Sequence, residues 1–137
     1  MGAYLLDTDH LSYFRERHPG VVHRLGTLSA EDQIVTSVIN TGELLRGIHL
    51  LPKGRRRREL LEWYHRTIPA MVAILPVTQP AAEFFAEIGA ALSRKGMPIP
   101  SNDVWVAAVA LAAGVVLVSH DRRFARVPGL HLEDWTE

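Results

Sequence analysis

The sequence predicts an α/β fold: a three-layer α/β/α sandwich around a central, mainly parallel sheet of four to five strands. Two observations carry that prediction. Tyr4-Leu5-Leu6 near the start and Val115-Val116-Leu117-Val118 near the end have the length and composition of strands buried on both faces. Between them, β-branched runs alternate with stretches at helical spacing, the pattern of a parallel sheet covered on both sides through right-handed crossovers. At 137 residues the chain reads as one domain, 1–137, large enough to bury a core without disulfides or metal staples.

Taken in order, the first strand, near residues 3–6, leads into a helix from about Asp9 to Arg17, capped by Thr8 or Asp9 and broken at Pro19-Gly20. A second helix carries Val21, Val22, Leu25 and Leu28. Gln33 to Val38 reads as a β-branched strand. The following helix, with Glu43 at its opening, runs to Leu50 and stops at Pro52. Leu60, Leu61, Tyr64 and Ile68 then mark a helix expected to end before Pro69. Val72 to Leu75 is a short strand closed by Pro76. Thr78 is the expected N-cap of a helix with the stripe Ala81, Phe84, Phe85, Ile88 and Leu92, stopped by Arg94-Lys95-Gly96. Met97 to Pro100 is extended, because each proline disfavours the helical region for the residue before it. A helix from about Asn102 to Ala113, the strand Val115–Val118 and an edge strand at Leu130-His131-Leu132 complete the pattern.

Composition excludes several chemistries. There is no cysteine, which removes disulfides, zinc–thiolate sites and thiol catalysis. Leu5-Leu6 is followed at once by Asp7 and Asp9, unlike a signal peptide, and no run reaches the ~18 apolar residues of a membrane span. A cytoplasmic protein without membrane contact is expected. The 15 basic and 15 acidic residues cancel, so only local charge is informative. Lys53-Gly54-Arg55-Arg56-Arg57-Arg58 is a concentrated basic run, and Arg122, Arg123 and Arg126 follow Asp121.

Four carboxylates stand out against this frame. Asp7 directly ends the first buried strand, where open α/β sheets bind ligands. Glu43 shares a helix face with Asn40, Arg46 and Gly47, and the glycine leaves room beside it. Asp103 heads the most apolar helix of the chain, where a carboxylate must be paired, protonated or metal-bound. Asp121 follows the last apolar run. Each has an ordinary alternative, as helix cap, first-turn acid, solvated residue or turn. Together, at strand ends and helix starts of one domain, they suit a hard divalent cation such as Mg²⁺. Ser119-His120-Asp121 is not a hydrolase triad, since adjacent strand residues point to opposite faces. The seven histidines form no His-x-x-x-His pair, which argues against zinc. Arg55, Arg56, Arg57 and Arg58 would put four cations at the positive end of a helix dipole, a placement that phosphate contact would compensate. The residues therefore point to a metal-dependent phosphodiesterase.

The same residues resemble a family, the PIN-domain nucleases, and within it the VapC-type toxins of bacterial toxin–antitoxin pairs. Tyr4-Leu-Leu-Asp7-Thr-Asp9-His-Leu-Ser-Tyr13, Thr36-Ser-Val-Ile-Asn40-Thr-Gly-Glu43-Leu-Leu-Arg-Gly47, Gly96-Met-Pro98-Ile-Pro100-Ser-Asn102-Asp103 and Leu117-Val-Ser119-His-Asp121 are similar to its four motifs, and Phe124 to Trp135 to its tail. The resemblance implies that Asp7, Glu43, Asp103 and Asp121 hold Mg²⁺ or Mn²⁺ and that Ser119, standing where threonine is usual, positions a water or a ligand. Asp9 replaces the commoner asparagine, and Arg123 stands where related sequences often carry another acid. The implied reaction is hydrolysis of RNA by water, leaving a 5′-phosphate and a 3′-hydroxyl. A homodimer and a cognate VapB-type antitoxin that blocks the site are implied as well. Two rivals remain at this point: another metal-dependent phosphohydrolase, acting on DNA or a phosphorylated small molecule, and a catalytically inactive module that binds RNA or a partner.

Overall fold

Neighbouring residues on a strand face opposite sides of a sheet, and each apolar pair here finds two separate cores. In the computed structural model, which describes residues 2–137, Leu5 and Leu117 lie in one core and Leu6 and Val118 in the other, all four fully buried. The five strands are β1 (Ala3–Leu6), β2 (Gln33–Ser37), β3 (Ala73–Leu75), β4 (Val116–Val118) and β5 (Leu132–Glu133). They form one sheet in the order β3-β2-β1-β4-β5, and every pairing is parallel. The central strand pairs on both sides, Leu5 with Val35 and with Leu117.

Six helices cover the two faces: α1 (Thr8–Arg15), α2 (Pro19–Gly26), α3 (Val38–His49), α4 (Arg55–Met71), α5 (Gln79–Arg94) and α6 (Ser101–Ala113). Leu11, Val21, Ile48, Tyr64 and Ile68 bring α1 to α4 onto one face, with Trp135 of the tail. Ile88 and Leu92 of α5, the buried side of α6, and Phe124 from a 3₁₀ turn (Arg122–Arg126) fill the other. The three-layer sandwich is as expected, with five strands and no antiparallel member. No helix among the described residues is long and apolar enough to cross a membrane.

This topology decides where a site can form. The chain moves outward from β1 to β2 and β3, then returns to lay β4 on the other side of β1. Strand order reverses between β1 and β4, and ligands of open parallel sheets bind at the carboxyl ends beside such a reversal. Asp7 follows β1 there, and Ser119 and Asp121 follow β4.

Several boundaries differ from the sequence reading. The first helix stops at Arg15 because Arg17 turns left-handed (φ 59°), with the His18 N–H bonding back to Tyr13 O. Its N-cap position is Asp7, not Thr8 or Asp9, and the Asp7 carboxylate makes no capping bond. The third helix begins at Val38, since Ser37 Oγ accepts from Asn40 N and caps it. Glu43 therefore sits in the second turn rather than at the opening. The fourth helix runs through Pro69 to Met71. A proline so near the end costs a single backbone bond, while Ile68, fully buried, anchors that last turn. Thr78 caps α5 as expected, accepting from Ala81 N. Gly114, at φ 67°, takes the left-handed position that lets α6 turn into β4.

Ile68→Ala should cost about 2–5 kcal/mol of stability, because the packed face around it cannot fully close over the cavity left behind. Val22→Ala, at a position 43% exposed, should stay within about 0.5 kcal/mol of the parent. Urea unfolding midpoints of the two variants check this contrast.

Candidate active site

Asp7 is the centre of the arrangement. The residue is 8% exposed, and each carboxylate oxygen receives a neutral side-chain donor. Asn40 Nδ2 donates to Oδ1 at 2.8 Å and Ser119 Oγ to Oδ2 at 2.7 Å. Asn40 is itself fully buried on α3. Its orientation is set by Ser37 Oγ, which donates to Asn40 Oδ1 at 2.6 Å. The second hydrogen of Asn40 Nδ2 goes to Thr8 Oγ1 at 3.2 Å, and Thr8 Oγ1 donates to Glu43 Oε1 at 3.1 Å. One polar chain thus runs from the cap of α3 to both Asp7 and Glu43.

Asp9 approaches from the first turn of α1. Its Oδ2 accepts from His120 N at 2.9 Å, with Ser119 Oγ 3.4 Å away. Its Oδ1 is 2.7 Å from Nδ1 of the wholly buried His10. His10 Nε2 accepts from Trp135 N at 3.1 Å, so the ring carries its hydrogen on Nδ1 and donates it to Asp9. The tail holds Asp9 through this histidine. The approach is close: a Cβ on Gly20 would stand 2.4 Å from Trp135 O, so glycine is required there.

Asp103, in the first turn of α6, and Asp121, after β4, complete the set. Asp121 caps the 3₁₀ turn, accepting from Arg123 N at 2.9 Å. The Arg123 guanidinium lies across both acids, with Nη2 2.6 Å from Asp121 Oδ2 and 3.3 Å from Asp103 Oδ2.

The electrostatics show that these acids share one field. Burial, then the charge of Asp9 and further that of Asp103, push the Asp7 carboxyl up to about 7, against the pull of Ser119 and a backbone N–H. Burial and the charges of Asp121, Glu43 and Asp9 raise Asp103, with Arg123 opposing. Asp121 is lowered, chiefly by the hydrogen bonds of Arg123. The charges of Asp9, Glu43 and Asp121 thus all bear on Asp103, and those of Asp9 and Asp103 on Asp7. Ser119, expected to position a water or a ligand, donates its hydroxyl to Asp7 Oδ2.

The donor set is made of carboxylate oxygens, which suits Mg²⁺ or Mn²⁺ in chemistry and disfavours metals that prefer sulfur or imidazole. Among the described residues no three His, Asp or Glu side chains already stand around one point. The acids are gathered but not closed into a cage. Beside Glu43, a cavity of about 280 Å³ extends past Thr8 and Gly47 to Leu60 and Trp63 of α4. A Cβ at Gly47 would meet no atom within 4 Å, so the open space expected beside Glu43 is present.

The basic run lies at the start of α4 as expected, with Arg55 to Arg58 as its first four residues. Arg55 pairs with Glu59 at 2.8 Å and Arg57 reaches Leu51 O at 3.4 Å, while Arg56 and Arg58 are exposed. Sequence reasoning did not assign Asn40 or His10 to the site. Asn40, three residues before Glu43 and so on the same helix face, was the signal at hand. For His10, whose partners lie at the far end of the chain, nothing local gave one.

Comparison with known proteins agrees with the fold. The PIN domain profile matches residues 4–130. Ribonuclease VapC2 of Haemophilus influenzae (strain ATCC 51907 / DSM 11121 / KW20 / Rd) is 32% identical over 136 residues, covering 98% of this chain and 99% of that protein. Ribonuclease VapC1 of Haemophilus influenzae (strain R2866) is 28% identical, covering 98% of each. Among solved structures, VapBC-1 from nontypeable Haemophilus influenzae superposes with a TM-score of 0.86 at 26% identity, covering 98% of this chain and 99% of that one.

A carboxyl raised in the folded state stabilises the fold below its unfolded pKa, near 4, and that contribution is lost as pH rises through about 7. Asp7→Asn should therefore unfold at higher urea than the parent at pH 8 in metal-free buffer, by on the order of 2–4 kcal/mol, and close to it at pH 4. Urea titrations at the two pH values check the sign.

Proposed function

The chain belongs to the PIN domain family, and from that premise we propose that it is a metal-dependent endoribonuclease, the toxin of a toxin–antitoxin pair. The ribonuclease activity and a VapB-type antitoxin follow the relatives and the VapBC structures that share its fold over nearly the whole chain. RNA as substrate, the cytoplasm as location, a homodimeric state and dependence on Mg²⁺ or Mn²⁺ are the further parts of the proposal.

The observation that carries it is Asp7: a buried carboxylate held by neutral donors and surrounded by other acids at the reversal of strand order. A buried negative charge without a cation is unstable, and this one lies where the fold binds ligands. We place the ion on Asp7, Glu43 and Asp103, with Asp121 as the fourth acid of the set. When bound, such an ion supplies Lewis acidity, lowering the pKa of a water and offsetting charge on the phosphodiester.

The protein's part is position. Asn40 Nδ2 and Ser119 Oγ hold the two oxygens of Asp7 in place, and Thr8 Oγ1 holds Glu43. Water adds to phosphorus, and the 3′ oxygen leaves with a proton. The phosphate stays on the 5′ oxygen, so the ends are a 5′-phosphate and a 3′-hydroxyl. The 2′-hydroxyl takes no part, consistent with a site whose one buried histidine is engaged by Asp9 and Trp135. Arg56 and Arg58, exposed at the start of α4, suit the RNA backbone flanking the acids.

Asp7→Asn and Asp103→Asn should each lower Mn²⁺-dependent cleavage of RNA by more than about 100-fold, and Asn40→Ala should weaken Mn²⁺ binding by about 10- to 100-fold. Millimolar Mn²⁺ should raise the melting temperature of the parent and leave the two aspartate variants unmoved. Chelator-controlled cleavage assays, isothermal titration with Mn²⁺ and thermal melts of each protein decide this. Wild-type cleavage by either aspartate variant would remove the site. Replacing both Arg56 and Arg58 by alanine should weaken single-stranded RNA binding across sequences. It should also flatten the log–log salt dependence by about 0.7 for each phosphate no longer neutralised, read from filter binding at several salt concentrations.

A further inference from the structure

Arg123 begins from an exposed turn, yet its side chain folds back over the acids. Its Nε lies 3.1 Å from each oxygen of Asp121, its Nη2 2.6 Å from Asp121 Oδ2, and its backbone N 2.9 Å from Asp121 Oδ1. Both oxygens of Asp121 are thus engaged by a single residue. Asp103 is treated differently: only Oδ2 is reached, at 3.3 Å, and Oδ1 stays open to a ligand. Asp7 and Glu43 receive neutral donors alone, and a carboxylate so bonded keeps lone pairs for a cation.

We propose that Arg123 is a tethered cation that takes the place of a second divalent ion. The acid cluster holds one ion, through Asp7, Glu43 and Asp103, while Asp121 serves the guanidinium. Three physical points support this. A guanidinium is charged at every physiological pH, so the position is never vacated by deprotonation. Its planar fork matches a carboxylate bidentately, which is the contact made with Asp121 and is stronger than a single-point pair. The Arg123 side chain is 47% exposed, where an ion pair adds little to stability, so the contact is not explained by a need to hold the fold. Of the basic residues close behind Asp121, Arg122 turns away to Glu137 and Arg126 to Pro98 O.

The inference rests on the reading that the cluster binds a divalent ion, and one experiment separates the two. Mn²⁺ is titrated into the parent, Arg123→Ala and Arg123→Lys, with bound ions counted by calorimetry and by electron paramagnetic resonance of the free ion. Circular dichroism confirms that the variants are folded, as their exposed position requires. The expected result is one Mn²⁺ per chain for the parent and for Arg123→Lys, and two for Arg123→Ala. Two ions on the parent, or a single ion on Arg123→Ala at any affinity, would overturn the role given to Arg123 and leave the metal reading standing. Binding to none of the three proteins would remove the metal reading and this inference together.

Discussion

A carboxylate at the end of the middle strand of an all-parallel sheet has nowhere to go. Asp7 is enclosed by the strand ends on either side and by the start of α1, so its charge must be met by groups the fold supplies or by something that enters from outside. The fold supplies an amide and a hydroxyl, Asn40 and Ser119, and then adds further acids. That combination runs against stability, since like charges around a buried carboxylate push its pKa upward. A cation entering among these residues, as proposed, would offset that cost. Buried Thr36, Ser37, Asn40 and Ser119 are polar at positions where apolar side chains would pack more simply.

The proposed polyanionic substrate would account for the remaining charge pattern. A chain with no net charge gains little from global attraction to RNA. It gathers Asp7, Asp9 and Asp121 after β1 and β4 and carries a concentrated positive run at the start of α4, the helix whose Leu60 and Trp63 share a cavity with Glu43. A phosphate would be repelled by the acids alone. Under the proposed function a bound divalent ion would reverse that field locally, and ion binding and substrate binding would be linked through the same carboxylates.

The sheet was legible in the sequence because fully buried strands have a composition that nothing else in a short chain shares. Asp7 was legible because it ends such a strand, and Asp103 because it heads the most apolar helix. What escaped was decided by contacts between residues far apart. Pro69 looks like a helix stop until the burial of Ile68 is known. Glu43 moved to the second turn because Ser37, nominally a strand residue, caps α3. Asn40 and His10 acquire their roles only when β1, α3 and the tail are brought together, across 33 residues for Asn40 and Asp7 and 125 for His10 and Trp135. Arg123 was visible as a basic residue in an acidic neighbourhood, but its reach to Asp103, 20 residues earlier, belongs to tertiary structure. The local reading of Asp121 as a turn residue is realised, for its carboxylate caps the 3₁₀ turn, and its charge also raises the pKa of Asp103.

The most direct test is anomalous diffraction at the manganese edge, from crystals of the protein grown in Mn²⁺. An anomalous peak bounded by the carboxylates of Asp7, Glu43 and Asp103 is expected. Saturating Mn²⁺ with no peak among those residues, or with peaks only on acids elsewhere on the surface, would contradict it.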